Sequence, residues 1–396
     1  MKKFIIFALF FNIIFQLTAE TTDSELQIKF IKGNITEKTS AVREASGLES
    51  VLLSGKAIDF ALENHKILGD DRELDALAVA AVLSYTPEYI YNATDSEKSA
   101  ITEKFSLLFS DFAHSSTVQI AVLSKITALR GILETSNFTE LLNDYLSKTD
   151  FITDDSGTVK AVFSTLEKIG DNRSFVILYN LSNNPKYESY FPEIENAIVQ
   201  LISLSVDEMI QIINIGNITQ INKVMTLCKK NNQISANIIN EIAENVLNES
   251  IILSEGSSTE SADMELLISL QIDSLKILKD NKCTRSAPTV LNFFNTARQE
   301  YADGFLTDEQ FTEVISALTV IAPLTAVVPL TNYLEELNQL KEADVQISET
   351  VILSVIQSLG SIGDKTAFDS LLAVTYLNYS EAVLTAARGA LAGLKW

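Results

Sequence analysis

The chain has 396 residues, of which 46% are apolar and only 6 are proline, and its formal net charge is −22 at pH 7. This length exceeds what one compact hydrophobic core usually serves, so several domains or a repeat array are expected. The acidic surface repels phosphate backbones and argues against nucleic acid as a partner, whereas it is compatible with solubility, cationic segments or metal ions.

Residues 1–19 have the pattern of a Sec signal peptide. Lys2 and Lys3 precede the apolar run 4–17, which is too short to span a membrane comfortably, and Ala19 supplies a small residue at the expected cleavage point. We therefore expect cleavage after Ala19 and export to the periplasm or the medium, with an uncleaved anchor as the alternative. Since no later apolar run reaches membrane length, no integral span is expected in the mature chain.

Residues 20–37 are polar and show no periodic apolar positions, so they predict a linker or an irregular N-terminal segment. From residue 38 to residue 396 apolar side chains recur at helical spacing with few turn clusters between them. This pattern predicts an all-α chain.

One helix–turn–helix pattern recurs along the chain, and its clearest copy turns at Gly363-Asp364. Glycine there can take the left-handed conformation that ends a helix, and aspartate can accept hydrogen bonds from the next helix. Apolar residues flank the turn on both sides: Val355, Ile356, Leu359, Ile362, Phe368, Leu371 and Leu372. A single helix pair cannot bury such a stripe, so neighbouring pairs are expected to stack.

Equivalent turns are predicted at positions 70, 134, 171 and 323. Neighbouring copies are 37 or 41 residues apart, and the 152 residues from 171 to 323 would hold four units of 38. The 64-residue step from 70 to 134 requires an irregular or additional helix, expected within Ser96–Ala113. Residues 184–311 keep helical patterns but are degenerate, so unit boundaries are not predicted there.

The C-terminal copy resembles a HEAT repeat. Leu359-Gly360-Ser361-Ile362-Gly363-Asp364 is followed by Ala367 and Leu371-Leu372, and Val42-Arg43-Glu44-Ala45 is similar to the opening of such a unit. The resemblance is good over Thr158–Asn183 and Thr312–Trp396. It implies an α-solenoid over residues 38–396, a right-handed superhelix of stacked antiparallel helix pairs whose second helices line a concave protein-binding surface. It brings no catalytic residues.

The chain offers little for catalysis. His65 and His114 are its only histidines, and it contains no Gly-rich phosphate loop and no HExxH, GxSxG or CxxC motif. His65 takes an inward-facing position of the repeat, where a half-buried, hydrogen-bonded histidine is favoured over a catalytic one. We therefore predict no enzyme activity, no cofactor and no metal site.

Two acidic segments invite comparison with cation sites. Asp70–Asp75 gathers carboxylates at a helix start, where helix capping is favoured and a bound cation stays open. Asp303-Gly304 resembles part of an EF-hand loop, but the neighbouring positions lack the required ligands. Thr307 and Gln310 instead predict a capping box for a helix that begins at Asp308.

Two cysteines, Cys228 and Cys283, are too few for a disulfide scaffold. Buried free thiols are favoured, although pairing stays open. The chain also contains eight Asn-x-Ser/Thr sequons, including those at Asn92, Asn172 and Asn378, which matter only if the host glycosylates exported proteins.

The sequence thus predicts an exported, non-catalytic scaffold that binds a protein partner, of unspecified identity, through the extended face of a HEAT-like solenoid. Tyr179, Tyr333 and Tyr376 on the return helices are the candidate exposed aromatic contacts, and the alternative is that they cover the core. Two further functions remain open: an enzyme or small-ligand binder on the same scaffold, and a structural subunit of an envelope assembly.

Overall fold

The computed structural model describes residues 24–148, 151–255 and 261–395. Within these ranges the chain forms α-helices and short 3-10 turns but no β-strand, apart from two isolated bridges, Arg130–Leu133 and Asp364–Lys395. The all-α prediction is therefore confirmed. The predicted signal peptide lies outside the described residues.

The chain divides into two compact units, with the boundary between Leu204 and Ser205. The described helices of the first unit are α1 (24–32), α2 (Ile35–Glu44), α3 (Gly47–Leu68), α4 (Arg72–Ser84), α5 (Pro87–Ile90), α6 (Asp95–Asp111), α7 (Ser116–Ala128), α8 (Ser136–Ser147), α9 (Ser156–Ile169), α10 (Asn172–Ser182) and α11 (Phe191–Leu201). Those of the second are α12 (Val206–Ile215), α13 (Ile218–Lys230), α14 (Ala236–Glu255), α15 (Ser261–Asp280), α16 (Ala287–Ala302), α17 (Asp308–Ile321), α18 (Pro323–Glu342), α19 (Glu349–Ile362), α20 (Phe368–Val374) and α21 (Glu381–Ala392).

In the first unit the helices pack in two rows, because each helix contacts the next but one along the chain. The first row consists of α2, α4, α7, α9 and α11, and the second row consists of α3, α6, α8 and α10. The short α5 lies against α3. The rows contact each other through α3–α4, α6–α7, α8–α9 and α10–α11, so each apolar stripe is covered on two sides.

The second unit repeats this arrangement. Its first row is α13, α15, α17, α19 and α21, and its second row is α12, α14, α16, α18 and α20. Residues 184–311, for which no unit boundaries were predicted, supply regular members of both rows. The helices from α10 through α17 make the four pairs that the length between positions 171 and 323 predicts.

Each predicted turn falls between two helices, and the clearest one has the expected chemistry. Gly363 is left-handed, with φ of 73°, and its amide donates to the carbonyl of Leu359 at 2.9 Å. The carboxylate of Asp364 accepts from the amide and hydroxyl of Thr366 at 2.8 and 2.7 Å. The predicted capping box also forms, since Thr307 and Gln310 bond each other's backbone amides.

The row predicted for the helix that precedes the N-terminal turn is wrong. The sequence placed α3 before its turn at position 70, as α9 precedes the turn at 171, but α3 packs against α6 in the second row while α9 lies in the first. The turn at Gly69 therefore leads from the second row to the first. The helix expected within Ser96–Ala113 is α6, a second-row helix, and the irregular member of the 64-residue step is the short α5, which belongs to neither row.

Residues 20–37 were expected to form a linker or irregular segment, but from residue 24 onward the chain is helical over 24–32, and α2 begins at Ile35. Leu26 and Phe30, four residues apart, are buried, and the ammonium of Lys38 donates to the carbonyl of Phe30 at 2.5 Å. Two apolar side chains on one face thus hold this helix in place, which is too short a stripe for periodicity to reveal.

Candidate functional site

The three predicted contact tyrosines differ in exposure. Tyr179 and Tyr333 are only 3% and 8% exposed, so both cover the core, as the alternative interpretation of the sequence has it. Tyr179 stacks on Phe175, and Tyr333 meets Phe311 edge to face at 5.6 Å. Burial raises the pKa of both hydroxyls. Only Tyr376, just beyond α20, is open to a partner, with 80% of its surface exposed.

The two histidines lie on either side of Phe112 and face carboxylates. Nε2 of His65 lies 3.3 Å from Oδ2 of Asp111, without the alignment of a hydrogen bond, so the predicted hydrogen-bonded histidine is not formed. Nε2 of His114 lies 3.4 Å from Oδ1 of Asp75. In the described part of the chain neither imidazole bonds a hydroxyl or thiol, which a nucleophilic mechanism would require.

In the Asp70–Asp75 segment Asp71 is the N-cap of α4, accepting from the amides of Glu73 and Leu74 at 2.8 and 2.9 Å. Asp70 and Asp75 turn toward His114. Across the described ranges no three His, Cys, Asp or Glu side chains are grouped so that they could hold a metal ion. Helix capping therefore accounts for Asp71, while Asp70 and Asp75 face His114.

Both cysteines are free thiols. Burial raises the pKa of Cys228 to about 12, so its thiolate is scarce at neutral pH. Cys283 is half-buried, with its sulfur 3.3 Å from the hydroxyl of Ser286.

Helix capping also explains several sequons. Asn34 and Asn217 are themselves N-caps, and Thr94 and Ser380, the hydroxyl residues of two further sequons, cap α6 and α21. Capping and glycosylation select the same residue types, so these sequons do not indicate modification.

Three cavities lie between consecutive helices of a second row. In the first unit a cavity of about 530 Å³ separates α3 from α6; in the second unit cavities of about 420 and 920 Å³ separate α14 from α16 and α16 from α18. We name the first the α3–α6 groove. It is the most apolar of these, and we take it as the candidate site.

The α3–α6 groove has an apolar wall and floor. Leu48 and Leu52, on the first turns of α3, are 76% and 55% exposed, and Tyr89 on α5 faces them across the opening. Ile90 and Ile101 are buried beneath. Beside the cavity these two leucines form an exposed apolar patch, and larger patches of this kind mark interaction sites.

Few charges line this groove. Nζ of Lys104 pairs with Oδ1 of Asp59 at 2.6 Å, and Glu97 is held by the capping box of α6 through the amide of Thr94 at 2.8 Å. Burial, together with the charge of Asp59, raises the pKa of Tyr85 to about 12. Because Lys104 is neutralised, Glu97 is the lining carboxylate without an ion pair in the described part of the chain.

The cavity between α16 and α18 is larger and more polar. Arg298 stacks over the ring of Tyr333 at 4.9 Å and pairs with Glu336. The hydroxyl of Tyr301 donates to Oδ1 of Asp308 at 2.7 Å, and burial with this bond raises the pKa of Tyr301 to about 12. These contacts join the lining side chains to one another, although Nε of Arg298 is buried without a hydrogen-bond partner.

Sequence reasoning missed Leu48, Leu52 and Tyr89. One signal was available: Leu48, Val51, Leu52 and Leu53 spread over more than one face of α3, and a helix buried on one side needs a narrower stripe. Nothing local showed which of them would lack a neighbour.

Considered one at a time, the described helices are too short or too polar to cross a membrane; Pro185–Leu204 and Val206–Ile215 have sufficient length and hydropathy only when counted together. No family model matches the sequence, and no curated protein matches it either.

Proposed function

We propose that this chain is an exported, non-catalytic scaffold that binds a segment of a partner protein in the α3–α6 groove. One observation carries the proposal: Leu48 and Leu52 remain exposed beside an apolar cavity that lies between consecutive second-row helices. The HEAT-like resemblance adds support, because in such arrays the second helices form the binding surface.

The groove favours a particular kind of partner segment. Burying Leu48 or Leu52 contributes about 1.5–3 kcal/mol each, so the segment must present apolar side chains. Glu97 at the rim and the net charge of −22 favour basic residues beside them. We therefore expect a short amphipathic segment with apolar anchors and flanking lysine or arginine.

A random 12-residue peptide library displayed on phage, selected against the purified chain, tests this proposal. Enriched peptides should combine apolar anchors with basic residues, and Leu48→Ser with Leu52→Ser should weaken the best peptide at least about tenfold. Leu107→Ser is the matched control, since Leu107 is an exposed leucine of α6 that does not line the groove. Equal binding to both variants, or enrichment of acidic peptides, would reject the groove.

Export is a separate part of the proposal and rests on residues 1–19. Intact mass and N-terminal sequencing of the protein made in its own host should show a mature chain that begins at Glu20. Recovery of the chain from the cytoplasmic fraction with Met1 retained would contradict export.

A further inference from the structure

Glu300, on α16 of the second unit, is a carboxyl buried without a cation. It is 4% exposed, and its Oε1 accepts from Nε2 of Gln271 at 3.0 Å. Its Oε2 is buried and has no hydrogen-bond partner. The hydroxyl of Ser254 lies nearby but donates to the carbonyl of Ile251 at 3.0 Å. Burial raises the pKa of Glu300, and the negative charge of Glu255 adds to the shift.

Glu300 lines the cavity of about 420 Å³ between α14 and α16, and two more carboxylates, Glu255 and Asp303, share that wall. Glu255 accepts from the hydroxyl of Thr296 at 3.0 Å, and Asp303 accepts from the amide of Gln299 at 2.9 Å. In the described ranges none of the three carboxylates is in an ion pair. The cavity therefore concentrates negative charge that the chain itself leaves uncompensated, and a buried oxygen without a donor costs about 1–3 kcal/mol.

The lining selects an organic cation. The described carboxylates are not grouped as metal ligands. The cavity also presents the amides of Asn292 and Asn295, which can accept from an ammonium group, while Met264 and the half-exposed Phe305 offer surface to an alkyl chain. Its volume is within the range of small-ligand sites.

We propose that this cavity binds a small aliphatic diamine or polyamine, with one ammonium group pairing with the carboxylate of Glu300 and the others pairing with Glu255 and Asp303. The alkyl chain lies against Met264 and Phe305. This site is in the other unit from the α3–α6 groove, and the inference does not depend on the peptide-binding proposal.

Isothermal titration of the purified chain with putrescine and with spermidine, at about 150 mM salt to screen the acidic surface, tests the site. We expect saturable binding at one site, weakened at least about tenfold by Glu300→Gln and less strongly by Glu255→Gln. The matched control is Glu349→Gln, which removes the same charge from an exposed position of α19 and should leave binding unchanged.

Proton release provides a readout that does not require a variant. Because Glu300 must be ionised to pair with an ammonium group, affinity should fall as pH is lowered, and titrations in buffers of different ionisation enthalpy should show protons released on binding. This measurement keeps the proposal testable if Glu300→Gln fails to fold.

Three results would overturn the proposal. Absence of saturable binding is one, and equal weakening by Glu300→Gln and Glu349→Gln, which would indicate general attraction to the acidic surface, is another. The third is tighter binding of Nα-acetyl-lysine methylamide than of putrescine, which would assign the cavity to a lysine side chain of a protein.

Discussion

At the scale of single residues, Glu300 and Leu359 represent two opposite uses of burial. Leu359 is buried in α19 with no polar group to satisfy, whereas Glu300 carries an ionisable group into the interior, where no cation of the described residues pairs with it. The first contributes stability through packing, and the second lowers it at neutral pH.

Glu300→Gln is expected to raise the free energy of unfolding at pH 7.5, without added amine, by about 1 kcal/mol, because the amide resembles the neutral acid. Burial raises the pKa of Glu300 in the folded state, so the folded state binds this proton more tightly than the unfolded state. The contribution of Glu300 to the stability of the wild type is therefore present below its unfolded-state pKa and is lost as pH rises through its folded-state pKa. The difference in the free energy of unfolding between Glu300→Gln and wild type should accordingly be smaller at pH 5 than at pH 7.5.

Urea unfolding of wild type and variant at both pH values measures this effect, with Glu349→Gln as the exposed control. A variant no more stable than wild type at pH 7.5 would show that Glu300 is already neutral there or has a partner.

Leu359→Ala should lower the free energy of unfolding by about 2–5 kcal/mol, since the side chain is buried between the rows and leaves a cavity. Leu324→Ala is its control, because Leu324 is almost fully exposed and should change stability by less than about 0.5 kcal/mol. If the two variants unfolded in urea with equal midpoints and slopes, the assignment of Leu359 to the core would be contradicted.

Residue-level predictions succeeded where the determinant is local. The Thr307–Gln310 capping box and the Gly363-Asp364 turn depend on four or five neighbouring residues, and both form. The sequence left open whether Tyr179 and Tyr333 are exposed or cover the core, because burial of a helical tyrosine depends on helices distant in sequence, such as the contact between Tyr333 and Phe294. A single sequence does not contain that information.

At the scale of elements, α19 and α21 approach each other closely at Gly360. A Cβ at Gly360 would lie 2.9 Å from the Cβ of Ala390, so glycine is required for the close approach of the two helices. Gly389, on α21, has open space around its Cα.

The two glycines should therefore respond oppositely to alanine. Gly389→Ala should stabilise by about 0.5–1 kcal/mol through helix propensity alone. Gly360→Ala gains the same propensity but forces α19 and α21 apart, and it should destabilise by about 1–3 kcal/mol. Thermal unfolding of both variants measures the difference, and stabilisation by both would show that the helices are not in close contact.

The wrong row predicted for α3 shows which information is missing when helices are predicted one by one from the sequence. A turn such as Gly69–Asp71 ends one helix and caps the next in the same way whether the chain passes from the first row to the second or back. Local chemistry therefore locates the turn but not its direction. The direction follows from which helices share an apolar surface, and this depends on the contact between α3 and α6.

At the scale of the whole molecule, each unit consists of two rows of helices, and described cavities lie between helices of the second rows and also between the first-row helices α15 and α17. The composition and periodicity predicted the helical class, because few prolines and glycines interrupt the apolar stripes. They did not predict the α3–α6 groove. A groove forms where no neighbouring helix covers the surface, and no local residue pattern shows where such a neighbour is missing.

Hydrogen exchange of the chain with and without the best library-selected peptide tests the central claim most directly. The proposal predicts slower exchange in the first turns of α3 and α6, around Leu48–Leu52 and Glu97–Lys104, with α4 and α7 unchanged. Slowing confined to the first-row helices, or none at saturating peptide, would contradict the assignment of the α3–α6 groove as the binding site.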